Sequence, residues 1–358
     1  MNKIDLKDYV CIQPFFNLEI HPFGNFVCCP DWINNNSIGQ FSENLGDLWE
    51  GDAIKEFKKS VTDGTFSKCN CEKCPFLNSL INTGKTIPGP ILEREIGERE
   101  ISKFPETPSL INFCFDRSCN LKCPSCRKDF IIASTEEQIV INKKIKEIED
   151  SFGKDVKTLR LSGSADPFAS ASFRKYLKNF NPKLYPNLES IFIHTNANLW
   201  TREMWDSMPN IHKFVKHCEI SIDAATKETY ETKTRLGGDW NVLHENLKFI
   251  QTIPSIEEIT LSFVVQHNNY TEMLEFVNHF NSIIKVKKIW FQFLKINDWG
   301  SLDPVSFLNS KIWDESHPQF NDLVYEIHKI DGLQDVKHNM NDIVEKYPNT
   351  IKKPIKFI

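Results

Sequence analysis

The cysteines of this chain are concentrated near its N-terminus. Ten of the eleven precede residue 127, in three groups: Cys11, Cys28 and Cys29; Cys69, Cys71 and Cys74; and Cys114, Cys119, Cys123 and Cys126. The first residues, MNKIDLKDYV, lack the apolar core of a signal peptide, so we expect a cytoplasmic protein with reduced thiols. Clustered thiols at short spacing in such a chain are typical of metal binding, because several thiolates must converge on one soft site.

The composition disfavours two classes of partner. Hydrophobic residues make up 40% of the chain and charged residues 25%, as in ordinary globular proteins. The formal net charge of −5 disfavours a nucleic-acid partner held by phosphate contacts. No apolar run approaches the length needed to cross a bilayer, so we expect no membrane partner.

The chain is predicted to contain two domains, a linker and an extension. Residues 1–85 carry cysteines and turn signals, which indicates a small irregular domain. Residues 86–107, with Pro88, Gly89 and Pro90, form the predicted linker. Strand-like and helix-like segments alternate over residues 108–300, and residues 301–358 are predicted to be a C-terminal helical extension.

The alternating region predicts an α/β fold with parallel strands. Strands are expected near 109–115, 157–162, 189–195, 217–223, 258–266 and 288–294. Ser134 and Glu137 form a capping box that begins one helix, and a second helix carries Met273, Phe276, Val277 and Phe280 at helical spacing. Six such units predict an open, partial barrel, although a doubly wound sheet fits the periodicity almost as well.

Several predicted strands keep one polar face. In the fourth, Cys218, Ile220 and Ile222 share one side, while Glu219, Ser221 and Asp223 share the other. Strands buried on both faces usually read as continuous apolar runs. We therefore expect the polar face to line a cavity that holds a polar ligand, with a solvated sheet face as the alternative.

Cys119, Cys123 and Cys126 form a C-x3-C-x2-C motif directly after the first predicted strand. Iron–sulfur clusters usually take four cysteines, so three would leave one iron open to an outside ligand. A structural zinc site needs a closed fourth ligand, and no histidine or cysteine follows within reach of this loop. A zinc knuckle completed by a distant residue is the alternative.

With this motif in this position, the sequence resembles the radical S-adenosylmethionine (SAM) superfamily over about residues 108–300. The resemblance implies a partial (β/α)6 TIM-like barrel. It also implies SAM-binding roles for residues at the predicted strand ends, Gly163, Ser164, Asp166, Asn196, Ser221, Asp223 and Gln266, and for Arg235, which follows the fourth strand. Two positions depart from the family pattern, because Ser125 stands where an aromatic residue is frequent and Ala165-Asp166 where Gly-Glu is common.

The resemblance implies the chemistry as well. A [4Fe–4S] cluster on the triplet chelates SAM and cleaves it reductively to methionine and a 5′-deoxyadenosyl radical, which removes hydrogen from the substrate. An external electron donor such as a flavodoxin or ferredoxin is then expected as a partner. The cofactor supplies the difficult chemistry, and the protein positions it.

The N-terminal cysteines resemble the twitch module, a single-cluster relative of the SPASM domain, here placed before the barrel. Cys11 and Cys29, with Cys71 and Cys74, are predicted to hold a second [4Fe–4S] cluster, and Cys28 and Cys69 rank lower as ligands. A structural zinc site with four cysteine ligands fits the same spacing.

A fully ligated auxiliary cluster suggests electron transfer, because it has no iron free for substrate. Since twitch-bearing relatives include an enzyme that oxidises an aminocyclitol alcohol, we expect a two-electron oxidation of a sugar-like or other small polar substrate. The alternatives are a peptide-modifying maturase and a non-catalytic zinc-binding protein. Strand alternation gives the candidate cavity residues Arg160, His194, Trp290 and Gln292.

Overall fold

A computed structural model describes residues 4–161, 163–298 and 302–348. Its strands are β1 (Tyr9–Cys11), β2 (Asn17–His21), β3 (Gly24–Phe26), β4 (Ile91–Glu93), β5 (Leu110–Phe113), β6 (Thr158–Leu161), β7 (Ser190–Thr195), β8 (Val215–Ser221), β9 (Glu258–Val265), β10 (Lys288–Lys295) and β11 (Val336–His338). Strands β5 to β10 fall on the six predicted strand segments.

The helices are α1 (Leu45–Glu50), α2 (Asp52–Thr62), α3 (Pro75–Thr83), α4 (Arg94–Ile101), α5 (Thr135–Phe152), α6 (Ala171–Lys178), α7 (Arg202–Asp206), α8 (Lys227–Thr229), α9 (Trp240–Ile250), α10 (Met273–Ile283), α11 (Pro304–Ser310), α12 (Phe320–His328) and α13 (Asn341–Lys346). From β5 to α11, strands and helical segments alternate along the chain. This is the element order of the predicted partial (β/α)6 barrel, and the α/β class with parallel strands is confirmed.

The chain divides into two compact units. The first contains Met1–Asp116, Ser134–Ser164 and Phe180–Ile191, and the second contains Arg117–Ala133, Ala165–Asn179 and Phe192–Ile358. Each unit draws on several of the predicted segments, because the division follows contacts in space and not position along the chain.

In the first unit the strand order is β3-β2-β5-β6. Strand β2 is antiparallel to β3 and parallel to β5, which is parallel to β6. One face of these strands is apolar and buried, and it includes Ile20, Phe113 and Leu161. The opposite face aligns Glu19 with Asn112 and Asn112 with Arg160. Because side chains alternate along a strand, the apolar set packs in the core and the polar set shares one surface.

Helix α5 begins as the capping box predicts. The Ser134 hydroxyl accepts a hydrogen bond from the Glu137 backbone N–H, and the Glu137 carboxylate accepts one from the Ser134 N–H. These two bonds satisfy backbone donors that have no partner inside the helix. Ile141, Ile145 and Ile148 form its buried face.

In the second unit strands β8, β9, β10 and β11 follow one another in chain order, with β9 parallel to β8 and β10, and β10 parallel to β11. A doubly wound sheet reverses its strand order, and this run of strands does not. In α10, Met273, Phe276, Val277 and Phe280 are buried as predicted. Strand β11 lies in residues 301–358, which were predicted to be helical, so that prediction was wrong for this segment. A strand of three residues is too short to show a period of two in the sequence.

Candidate functional site

The cysteine triplet lies on a closed loop in the second unit. Cys119 forms an antiparallel bridge with Ile131, and its N–H donates to the Ile131 carbonyl at 2.8 Å. The Cys126 N–H donates to the Cys123 carbonyl at 2.9 Å. Cys119 and Cys123 are buried, whereas Cys126 is exposed. These contacts hold the three thiols on one loop, with Cys126 at its open side.

Two guanidinium groups contact the triplet. Arg235 Nη1 lies 3.5 Å from Cys123 Sγ, and Arg127 Nη2 lies 3.5 Å from Cys126 Sγ. Burial is the main reason that the pKa of the Cys119 thiol rises to about 12. Cationic neighbours favour the thiolate form that a metal cluster requires. Arg127, which directly follows the motif, is not among the residues predicted to lie at this site.

Arg235 is positioned by a buried carboxylate. Asp223 follows β8 with a φ of 61°, a left-handed conformation that aspartate tolerates better than most residues. One carboxylate oxygen accepts from the Val264 N–H at 2.7 Å, and the other lies 2.7 Å from Arg235 Nη2. A π-helical turn, Tyr230–Thr234, ends at Arg235, and such turns are frequent at functional sites.

Two of the buried donors without a protein acceptor among the described residues belong to predicted SAM ligands. They are Arg235 Nε and Gln266 Nε2. A buried unpaired donor is costly unless a ligand or water accepts its hydrogen bond. Both residues are predicted to bind SAM, whose carboxylate and ribose oxygens are acceptors, so this donor set fits that ligand.

The side chains of Asp166 and Asn196 form hydrogen bonds with other residues of the second unit. The Asp166 carboxylate accepts from the Thr195 hydroxyl at 2.7 Å and from the Asn196 and Phe168 N–H groups at 2.8 and 3.0 Å. The Asn196 amide donates to Asn120 Oδ1 at 3.0 Å and lies 3.8 Å from the Cys119 sulfur. Asp166 therefore fixes the end of β7, and Asn196 lies beside the cysteine loop.

A chain of polar side chains crosses β7, β8 and β9. His194 Nε2 lies 2.7 Å from Ser221 Oγ, which is 3.2 Å from Ser262 Oγ. His194 also lies 3.6 Å from the Glu219 carboxylate. The structure therefore brings together two of the predicted residues, His194 and Ser221, on the polar face.

The two candidates on β10 share that face by register. Gln292 is aligned with Ser262, and Ser262 with Ser221. Trp290 lies two residues before Gln292 on β10 and therefore on the same face. The centre of its ring is 4.1 Å from Lys288 Nζ and 3.9 Å from Lys337 Nζ. Gln292 is thus placed to face a polar ligand, whereas two lysines cover Trp290.

The remaining predicted residues belong to the first unit. Gly163 has a φ of 90°, and a Cβ atom there would lie 2.4 Å from the Cys114 sulfur. Only glycine fits such a position without strain. Ser164 is partly exposed, and Arg160 is exposed on the row that it shares with Asn112.

Four N-terminal cysteines line one cavity in the first unit: Cys11, Cys28, Cys69 and Cys74. Burial raises the pKa of Cys11 to about 12, and the pKa of Cys28 is raised by burial and by the charges of the other three cysteines and of Glu19. Cys29 and Cys71 are not on this cavity. The structure thus joins two of the predicted ligands, Cys11 and Cys74, with the two that spacing ranks lower.

The separation of the sulfur atoms bears on the metal. In the described part of the chain, no three cysteine sulfurs lie within 4.8 Å of one another. Thiolates around one tetrahedral zinc ion would stand about 3.8 Å apart, given Zn–S bonds of about 2.3 Å. In a cubane cluster each thiolate binds a different iron, which requires a wider spacing. The sulfur atoms of neither cysteine set are therefore spaced as around a single tetrahedral zinc ion.

Comparison with known proteins bears on the N-terminal cysteines. Residues 11–75 match the SPASM iron–sulfur cluster-binding domain. The predicted SPASM-like module is thereby confirmed, and so is its iron–sulfur class of cofactor. This SPASM-matching segment contains all six cysteines of the first two groups. No curated protein matches the chain.

Proteins of known structure that are similar to the chain include TYW1 and anSMEcpe. TYW1 with a lysine–pyruvate adduct bound is 14% identical over 72% of this chain and 80% of TYW1, with a TM-score of 0.40. Native anSMEcpe with bound AdoMet and a Cp18Cys peptide is 20% identical over 62% of this chain and 58% of its own, also with a TM-score of 0.40. This chain therefore spans less than two thirds of anSMEcpe, and similarities at this level do not assign a function.

No helix in the described residues is both long and apolar enough to cross a membrane.

Proposed function

We propose that this protein is a radical SAM enzyme whose first cluster binds to Cys119, Cys123 and Cys126. The observation that carries the proposal is the triplet on one loop, with Arg235 beside Cys123 and two unpaired buried donors in the same unit. Three thiolates leave one iron of a [4Fe–4S] cluster open to an outside ligand. When bound and reduced, the cluster would supply the electron that cleaves SAM to methionine and a 5′-deoxyadenosyl radical.

The residues around the loop bind and orient the cofactor. Arg235 Nε and Gln266 Nε2 donate to acceptor oxygens of SAM, which removes the cost of leaving them unpaired. Asp223 keeps the Arg235 guanidinium in place through the 2.7 Å contact. Asp166 acts through Thr195 and Asn196, because its carboxylate oxygens accept hydrogen bonds from them.

The auxiliary cluster is assigned to the four cysteines that share the cavity: Cys11, Cys28, Cys69 and Cys74. Four protein ligands saturate a cubane, which suits electron transfer and not substrate binding. The match of residues 11–75 to the SPASM iron–sulfur cluster-binding domain favours a cluster over the zinc site that spacing alone also allows.

The net reaction proposed is a two-electron oxidation of a sugar-like or other small polar substrate. His194 and Ser262, which Ser221 connects by hydrogen bonds, supply polar groups for such a substrate on the polar face. In the oxidation of an alcohol, the 5′-deoxyadenosyl radical would take a hydrogen atom from the carbon. The substrate radical would then lose one electron, to the auxiliary cluster, and the proton of its hydroxyl group. His194 Nε2, in contact with the Ser221 hydroxyl, is the group placed to accept it.

The test is formation of 5′-deoxyadenosine by anaerobically reconstituted protein supplied with SAM and a strong reductant. The wild-type protein should form the nucleoside, and Cys126→Ala should not, because it loses one cluster ligand. Cys218→Ala is the matched control, since that thiol is buried in β8 among core residues. Protein that contains zinc in place of iron, or that carries full iron and makes no nucleoside, would contradict the proposal.

A further inference from the structure

Three potential metal ligands meet on the polar face of the first unit, outside both cysteine sets assigned above. Glu19 and His21 lie two residues apart on β2 and therefore point to the same side. Cys114 directly follows β5, and its N–H donates to the Ile20 carbonyl at 2.9 Å. One ligand atom from each of Glu19, His21 and Cys114 lies within 4.8 Å of the others.

The side chains of this group are largely buried, and one of their ligand atoms is unpaired. The His21 Nε2 atom is buried and has no hydrogen-bond partner among the described residues. Its ring packs against Phe23 and Phe26, with centroids 5.0 and 5.5 Å away. The side chains of His21 and Glu19 are only 12% and 15% exposed. Buried polar atoms normally have a partner, and a metal ion bound by the ring nitrogen, the carboxylate and the thiol would supply one.

The spacing suits a single ion. His21 Nε2 lies 3.6 Å from Glu19 Oε2. Two ligand atoms bonded to zinc at about 2.0–2.2 Å stand roughly 3.4 Å apart in a tetrahedral site. The cluster cysteines lie further from one another than this group does, and a mixed oxygen, nitrogen and sulfur set is typical of single divalent ions.

Gly163 keeps one side of the thiol clear of side chains. A Cβ atom at this position would lie 2.4 Å from Cys114 Sγ and 3.1 Å from Cys114 Cβ. The absence of a side chain there lets the sulfur atom occupy its place beside Glu19 and His21.

We propose that Glu19, His21 and Cys114 bind one divalent transition-metal ion of the zinc type. Three protein ligands leave a fourth position for an outside ligand, as in catalytic and not structural zinc sites. The outside ligand is an oxygen or nitrogen atom of a small polar molecule. The proposal is independent of SAM chemistry, because its ligands belong to neither cluster.

The experiment is a titration of the iron-loaded holoprotein with Co²⁺, which replaces zinc and reports on its ligands by absorption. The wild-type protein should bind one equivalent and show a thiolate-to-cobalt charge-transfer band. Cys114→Ser should lose the band. Glu19→Gln and His21→Ala should weaken binding by more than the roughly 10–100-fold that loss of an outer-shell partner costs. Iron and sulfide content should stay unchanged in all three.

The controls are Cys218→Ser and His217→Ala, a thiol and an imidazole on β8 outside the site, and both should bind Co²⁺ as the wild type does. A charge-transfer band that persists in Cys114→Ser would overturn the proposal, as would a wild-type protein that binds no cobalt. Should Cys114→Ser fail to fold, judged by its iron content, Glu19→Gln decides alone. That change conserves side-chain volume, and unchanged affinity in it would refute the site.

Discussion

Cys28 and Cys29 are neighbours in the chain, yet their thiols lie in different surroundings. Cys28 lines the cavity with Cys11, Cys69 and Cys74. Burial raises the pKa of Cys29 to about 11, with Glu19 and Asp31 as its acidic neighbours. Adjacent residues point in different directions, so spacing alone does not decide which thiol is a ligand. Cys69 and Cys71 form a second such pair, since Cys69 is on the cavity and Cys71 is exposed.

These two pairs give a matched prediction. Cys28→Ala and Cys69→Ala should each remove the auxiliary cluster and lower the iron from about eight to about four atoms per chain, since each cubane holds four. Cys29→Ala and Cys71→Ala should leave the iron unchanged. Iron and sulfide analysis of reconstituted protein measures this. Loss of iron in Cys29→Ala with retention in Cys28→Ala would restore the ligands that spacing predicts.

Gly163 provides a second prediction, about its close contact with Cys114. Gly163→Ala should lower the free energy of unfolding by roughly 1–3 kcal/mol from its positive φ alone, and further from the clash with the sulfur. In a Cys114→Ala background the clash is relieved while the backbone strain stays. Urea unfolding of the four proteins should therefore give a coupling energy of about 0.5 kcal/mol or more. Additive effects would mean that the sulfur is not what glycine accommodates.

At the scale of elements, hydrophobic periodicity predicted more than spacing did. The six strand segments, the start of α5 and the buried face of α10 agree with the structure because each depends on contacts local in sequence or on one apolar face. The pairing of β2 with β5 was not predictable, since the two strands are far apart in the chain and β2 is short.

The candidate site shows the same limit. The sequence identifies His194 and Ser221 as polar-face residues, and the structure joins them by a hydrogen bond. It does not reveal that Asp166 is saturated by Thr195 and Asn196, because a carboxylate looks alike in sequence whether it binds a ligand or the backbone. Hydrogen-bond partners in three dimensions distinguish these roles.

Helices α9 and α10 meet through two histidines, which predicts a dependence of stability on pH. His244 Nε2 lies 2.8 Å from His279 Nε2, and His244 Nδ1 lies 2.7 Å from the Trp240 carbonyl. One Nε2 must donate and the other accept, so the contact requires a neutral acceptor ring. Burial lowers the pKa of both imidazoles from 6.5, and for His279 the His244 charge lowers it further.

Each imidazole has a lower pKa in the folded protein than in the unfolded chain. Its contribution to stability is therefore complete at a pH above the unfolded-state pKa, and it is lost as the pH falls through the folded-state pKa. The free energy of unfolding should therefore decrease between about pH 7.5 and pH 5.5, because the unfolded imidazoles titrate near 6.5. His279→Gln should flatten this dependence, and His217→Gln, on β8, should not. Urea unfolding at several pH values measures it, and equal slopes in all three proteins would contradict the pairing.

At the scale of the molecule, the two cysteine sets belong to different compact units. The SPASM-matching segment and its four cavity cysteines lie in the first, and the triplet lies in the second. Each set is held by contacts within its own unit, such as the bridge between Cys119 and Ile131. Parts of a protein that are held by separate contacts can unfold independently of one another.

The two clusters should therefore be lost independently. Cys69→Ala should keep about four irons and still form 5′-deoxyadenosine from SAM, because the triplet and its neighbours Arg127 and Arg235 are untouched. Cys126→Ala should also keep about four irons and form no nucleoside, and the double variant should hold almost no iron. Cys71→Ala, an exposed thiol near the first site, controls for general damage.

The informative case is Cys69→Ala. If it retains its triplet iron and loses nucleoside formation, electrons reach SAM only through the auxiliary cluster, and the triplet does not act alone. If the variant loses the triplet iron as well as the auxiliary iron, the second unit depends on the first for its fold. Circular dichroism should then record a loss of folded structure. Retention of both iron and nucleoside formation assigns SAM cleavage to the second unit and leaves the auxiliary cluster to act after hydrogen abstraction.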